Sequence, residues 1–208
     1  MIRETFPVGL LQCNCTILGD ETSREAIVVD PGDEIPRILA ALAKHELTVR
    51  RIVITHAHID HIASAHTLSE ITGAPIAYSE ADLELVAMME EQSKWIGMKT
   101  PTVLPPDHSP ADEEKISVTG IDATVLHTPG HTQGSLCLYI PAESLLLAGD
   151  TLFAGSVGRT DLPGGNHAQL IASIHERLLP LPADTLVIPG HGGTTTIAVE
   201  RASNPFLI

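Results

Sequence analysis

Basic side chains are scarce in this chain: 12 Lys and Arg stand against 26 Asp and Glu, a formal charge of −14. That balance favours solubility and repels phosphate backbones, so no nucleic-acid partner is expected. Long apolar runs are also missing. The most apolar stretch, Leu136 to Gly149, is broken by Pro141 and Glu143, so no membrane span is expected. The opening Met1-Ile2-Arg3-Glu4-Thr5-Phe6 lacks the basic start and apolar run of a signal peptide, which leads to the expectation of a cytoplasmic protein. Cysteine is nearly absent. Cys13, Cys15 and Cys137 make an odd count without metal-finger spacing, and Cys13-Asn14-Cys15 is too tight for an ordinary disulfide framework, so all three read as reduced, mostly buried thiols. What the chain does have is length and apolar content: 208 residues at 43% hydrophobic suffice for one domain with a sizeable core.

Short strand-like runs at Thr16 to Leu18 and Ala26 to Val29 lead into the turn Asp30-Pro31-Gly32-Asp33. From Ile35 to Lys44 the apolar residues Ile35, Ile38, Leu39 and Leu42 recur at helical spacing, and Arg51 to Thr55 reads as a buried strand. That strand runs into His56-Ala57-His58-Ile59-Asp60-His61, after which Ile62 to Thr72 is expected to be helical. An acidic helical stretch, Ser79 to Gly97, and the proline-rich run Pro101 to Pro110 read as an insertion at about 79–113. It is expected to be an amphipathic helix packed on the body, with Met88, Met89, Trp95 and Met98 as the alternative lining of a substrate pocket. Strand-like runs return at Lys115 to Val118, Ala123 to His127, Ser135 to Ile140 and Ser144 to Leu147. A glycine-rich loop (Gly149 to Gly165), a helix (Asn166 to Leu179) and a last strand (Thr185 to Ile188) complete a pattern of two packed sheets with helices outside.

Four metal-capable side chains fall within the six residues His56 to His61. Imidazole nitrogen suits zinc, iron and similar metals, and a carboxylate adds negative charge that can hold a second ion. Alternation in a loop after a strand lets His56 and His58 share one metal while Asp60 and His61 turn towards another. A lone histidine would count for little. Three further candidates, however, stand at strand ends beside glycine: Gly130-His131, Gly149-Asp150 and Gly190-His191. Glycine permits the sharp turn and close backbone approach that a strand-end ligand needs.

Thr55-His56-Ala57-His58-Ile59-Asp60-His61, followed in order by His131, Asp150 and His191, resembles the metallo-β-lactamase superfamily. The resemblance implies an α+β chain folded as a four-layer αββα sandwich. It also implies two divalent metal ions, zinc first and iron or manganese as alternatives. His56, His58 and His131 would hold one ion, Asp60, His61 and His191 the other, with Asp150 bridging. Asp60 and Asp150 are thereby the candidate catalytic carboxylates, as metal-holding groups and not as acids. True β-lactamases carry Cys or Ser where this chain has Asp150, and the flavodiiron branch has Glu at the position of His58.

Asp150 to Arg159 is similar to the segment by which glyoxalase II brings a basic residue to its glutathione thioester, which makes Arg159 the candidate substrate anchor. Its fork could pair with a carboxylate; the plain alternative is a salt bridge to Asp161. Two tyrosines of glyoxalase II are replaced by Asp161 and Gly193, and the C-terminal helical domain of that enzyme has no counterpart after His191. The closer resemblance is therefore to short, bacterial glyoxalase II-like hydrolases. The expected reaction is hydrolysis of a small-molecule thioester such as S-lactoyl-glutathione. The alternatives are a mononuclear iron(II) persulfide dioxygenase holding its metal through His56, His131 and Asp150, or hydrolysis of another ester or lactam.

Overall fold

The computed structural model describes residues 1–208. Two sheets form its centre. The first has strand order β1 (Ile2–Val8), β2 (Cys13–Gly19), β3 (Glu25–Val29), β4 (Thr48–Val53), β5 (Ile76–Ala77), and the second has order β13 (Thr195–Thr196), β12 (Leu186–Pro189), β9 (Leu145–Gly149), β8 (Leu136–Ile140), β7 (Ile121–His127), β6 (Lys115–Val118). Pairing is antiparallel except at β3–β4, β4–β5 and β9–β12. A short ribbon, β10 (Leu152–Phe153) with β11 (Ser156–Val157), stands apart.

Both faces of each sheet are covered, which explains why β3 and β9 read as unbroken apolar runs and not as alternating ones. Ile27 and Val29 of β3 meet Leu138 and Leu147 between the sheets. Ala26 and Val28 face the other way, into a cluster with Ile38 of α1 (Ile35–Lys44) and Leu68 of α3 (Ala65–Thr72). On the far side, Leu146 and Ala148 of β9 pack with Leu170 of α6 (His167–Ser173) and Ile197 of α7 (Ile197–Ser203). Helix, sheet, sheet and helix therefore stack as four layers, the αββα arrangement expected from the resemblance. No helix is long and apolar enough to cross a membrane.

Local structure departs from the sequence reading in three places. Helix begins earlier than Ile62: a single turn, α2 (Ile59–Ile62), holds Asp60 and His61, because the extended His58 offers its carbonyl to the N–H groups of both His61 and Ile62. Strand β1 went unread, since Glu4 stands on the same face as Ile2, Phe6 and Val8 and hides the alternation; its carboxylate reaches Lys44 and His45. The helical stretch after Ser79 is divided into a tight turn (Glu80–Asp82), α4 (Leu83–Ala87) and α5 (Met89–Ile96). The run that follows α5 is tied to the sheet edge by Asp107 N–H on Ile76 O (2.9 Å) and Tyr78 O–H on Leu104 O (2.7 Å).

Candidate metal centre

All seven side chains singled out as ligands converge at one edge of the sandwich. Two groups emerge. His56 Nε2 lies 3.0 Å from His58 Nδ1, and His131 Nε2 lies 3.2 and 3.0 Å from those same atoms. His191 Nε2 lies 3.3 Å from His61 Nε2 and 3.1 Å from Asp60 Oδ2. Asp150 stands between them, with Oδ1 3.5 Å from His61 Nε2 and Oδ2 3.7 Å from both His131 Nε2 and His191 Nε2.

The outer ring nitrogens fix what the inner ones can do. His131 Nδ1 is 2.7 Å from the Arg159 carbonyl and His191 Nδ1 is 3.0 Å from the Leu11 carbonyl; a carbonyl only accepts, so both Nδ1 atoms carry the proton. His61 Nδ1 donates to Asp30 Oδ2 at 2.9 Å. Thr55 Oγ1 spends its hydrogen on Asp30 Oδ2 (2.8 Å) and is left to accept from His56 Nδ1 (3.2 Å). In the neutral rings, then, His56, His61, His131 and His191 all aim Nε2 lone pairs inward. Nitrogens converging across 3.2–3.3 Å form a donor set shaped for cations. Without an ion, His61 and His191 supply the positive charge: against the effect of burial, the surrounding carboxylates raise both above the ordinary histidine range. Asp150 Oδ1, buried and without a hydrogen-bond partner, fits the same purpose.

Burial reinforces this. It holds His56 well below the ordinary histidine range and His58 down to about 3, so both stay neutral. Burial alone would raise the Asp60 carboxyl, but His61 and His191 outweigh it and keep Asp60 below the usual range. Asp150 is likewise lowered: burial opposes ionisation, while His61, His131 and His191 favour it.

Glycine makes the close approach feasible. A Cβ on Gly190 would sit 2.1 Å from Asp150 Oδ1 and 2.7 Å from His61 Cε1, inside the centre itself. The glycine beside His191 is therefore required by crowding and not by backbone conformation.

Several contributors escaped the sequence reading. Asp30, in the turn after β3, accepts from Thr55 N–H (2.7 Å) as well as from Thr55 Oγ1 and His61, and adopts a φ of 52° to do so. Its only signal was an acid closing a buried strand. From the stretch read as an insertion, Asp82 accepts Ala57 N–H (2.9 Å), Thr132 Oγ1–H (2.9 Å) and Gly134 N–H (2.6 Å), joining the His56–His61 loop to the His131 loop. Gln92 accepts Ile59 N–H at 2.9 Å and donates to the Leu85 carbonyl at 2.9 Å. Cys13 brings a thiol to the edge of the centre: its Sγ is 3.5 Å from His61 Nδ1, although burial pushes the thiol up to about 12 and keeps it protonated. The three cysteines are free and buried, as expected.

A cavity of about 580 Å³ opens over the centre and is lined by His58, Asp60, His131, Asp150 and His191 at its floor. Trp95 and Arg159 reach its wall, whereas Met89 is buried in the helix-side core. The Arg159 fork is engaged: Nε and Nη2 donate to the two oxygens of Asp161, both at 2.8 Å.

Comparison with known proteins agrees with this geometry. The chain is similar to the hydroxyacylglutathione hydrolase GloC of Haemophilus influenzae, with 36% identity over 98% of this chain and 97% of the relative. Among solved structures, the BLEG-1 B3 metallo-beta-lactamase superposes with a TM-score of 0.92, 36% identity and 99% coverage of both chains. A di-iron-bound form of TTHA1623 does so with a TM-score of 0.87, 37% identity and coverage of 97% and 98%. The family model for the metallo-beta-lactamase superfamily matches residues 8–191, which spans every one of the seven side chains, and the chain belongs to that superfamily of metal-binding hydrolases.

Proposed function

We propose that this protein is a two-metal thioester hydrolase. The observation that carries the reading is the convergence of inward Nε2 lone pairs and the Asp60 and Asp150 carboxylates on the floor of an open cavity. His56, His58 and His131 would hold one ion, Asp60, His61 and His191 the other, and Asp150 both. When bound, two divalent ions supply hydroxide at neutral pH and polarise a carbonyl oxygen. Structural zinc sites are usually closed by four protein ligands, whereas these groups face open space.

The chain's own groups favour a thiolate as the departing group. Asp60 and Asp150, held ionised, have no proton to give, and Cys13 is sealed beneath His61. An amine leaving from a lactam needs a proton; a thiolate leaves without one. Likeness to GloC supports a thioester, and likeness to the B3 enzyme keeps lactam cleavage as the competing reading. The partner is a small molecule, in keeping with the cavity volume and the net charge of −14.

The test is hydrolysis of S-lactoyl-glutathione by protein of known metal content, with a chromogenic cephalosporin and oxygen uptake on glutathione persulfide in parallel. Thioester turnover at two metals per chain, abolished in Asp150→Ala, is expected. Oxygen uptake at one iron per chain would instead make the protein a persulfide dioxygenase, and preferred cephalosporin turnover would make it a lactamase.

A further inference from the structure

Resting on the thioesterase reading, we infer that the site selects thioesters of uncharged, apolar character over glutathione conjugates. The cavity wall is apolar on three sides: Leu11 from the β1–β2 turn, Trp95 and Ile96 from α5, and Leu162 from the loop beyond β11. Leu11 is 45% exposed and Trp95 56% exposed, so these surfaces have no partner within the chain and stay wet until something apolar covers them. They come from separate elements yet face one space directly above the metal-binding floor.

Charge points the same way. A glutathione thioester carries two carboxylates and one ammonium, and a site that selects it must offer charge-assisted partners. The cavity wall holds a single side-chain guanidinium or ammonium, that of Arg159, and its Nε–Nη2 edge is paired with both oxygens of Asp161, whose charge offsets its own. A substrate carboxylate at the remaining Nη1 and Nη2 donors of Arg159 would lie beside the Asp161 carboxylate and be repelled by it. A guanidinium already paired with a carboxylate attracts a second one only weakly. An apolar acyl or alkyl group over Trp95 and Leu11 releases water without any such competition.

The chain holds one tryptophan, Trp95, so its fluorescence reads occupancy of this cavity whether or not turnover follows. Two unreactive probes with the same alkyl group separate the terms: S-hexyl-N-acetylcysteamine, which is uncharged, and S-hexylglutathione. With metal-loaded protein, the uncharged probe should bind on the order of tenfold more tightly. In Asp161→Ala, which frees Arg159, S-hexylglutathione should tighten by about tenfold while the uncharged probe is unchanged. Equal or tighter binding of S-hexylglutathione by the wild type, or an unaltered ratio in Asp161→Ala, overturns the inference. Hydrolysis of the matching hexanoyl thioesters is read alongside. A binding preference without hydrolysis upholds the selectivity and sinks only the thioesterase reading, whereas hydrolysis without the preference does the reverse.

Discussion

Gln92→Met is the substitution that most directly separates a packing role for α5 from a role in shaping the metal centre. Methionine is close to glutamine in length and fits the apolar neighbours Leu85 and Met89, so the change creates little cavity. It removes the acceptor for Ile59 N–H, a buried donor at the start of α2 between His58 and Asp60. It also removes the donor to Leu85 O, but that carbonyl keeps the N–H of Met88. The loss therefore comprises a long contact from Gln92 Nε2 to the Ala57 carbonyl (3.4 Å) and, dominating it, one orphaned buried N–H, about 1–3 kcal/mol. For a chain of this size that corresponds to a fall in Tm of roughly 2–12 °C. The assay is thermal unfolding of metal-stripped protein in chelator, which isolates the fold from bound ions. Metal affinity is then read by competition with a chromophoric chelator, and should weaken because Ile59 sets the turn that aims Asp60 and His61. A Tm within 1 °C of wild type, with unchanged metal affinity, would refute the claim that Gln92 shapes the loop.

Further expectations concern neighbouring supports. Asp30→Asn deprives His61 Nδ1–H and Thr55 of their shared carboxylate, and metal affinity should drop about 10–100-fold, measured by the same competition, with the histidine ligands intact. Gly190→Ala drives a methyl into Asp150 Oδ1 and His61 Cε1 and should leave folded protein that retains less than two metals per chain by elemental analysis; full occupancy would show that the crowding is relieved elsewhere. Asp82 is raised above the ordinary 3.8, chiefly by burial and against the donors from Ala57, Gly134 and Thr132. Its folded state holds the proton more firmly than the unfolded chain, so its contribution is fully present below the unfolded value and declines as pH rises through the folded one. The stability difference between wild type and Asp82→Asn should fall across that window and level off above it, and a flat difference in urea unfolding would contradict the assignment.

How much of this could be read from the residues alone divides along a physical line. Strands covered on both faces announce themselves as continuous apolar runs, and α1 by its 3.6-residue spacing, so the layers were legible. The seven clustered side chains were legible because imidazole and carboxylate at strand ends beside glycine are costly placements without a chemical purpose. Invisible were the groups that act through space. Asp82 and Gln92 sit in an acidic helical stretch where polar residues look like a solvated face, and only the fold turns them inward against Ala57 and Ile59. The partner of His131 is a backbone carbonyl, that of Arg159, which no side-chain pattern can encode. Arg159 itself was legible as a charge, but whether it is free or tied to Asp161 depends on rotamers.

The convergence of inward lone pairs carries a consequence for folding as well as chemistry. Four Nε2 atoms and two ionised carboxylates packed this closely need positive charge among them, supplied by protonated His61 and His191 in metal-free protein and by the ions when metal is bound. The arrangement is held by supports from separate parts of the chain: Asp30 from the turn after β3, Asp82 and Gln92 from the α4–α5 region, the carbonyls of Leu11 and Arg159 from two loops. Metal displaces those protons from ligands that the fold alone brings together, so metal affinity and fold stability are linked quantities and should rise and fall together. Stability gained on adding metal should therefore shrink in Asp30→Asn in parallel with its lost affinity. If metal stabilises that variant as much as wild type, the ions are held by a set of groups other than the seven that converge here.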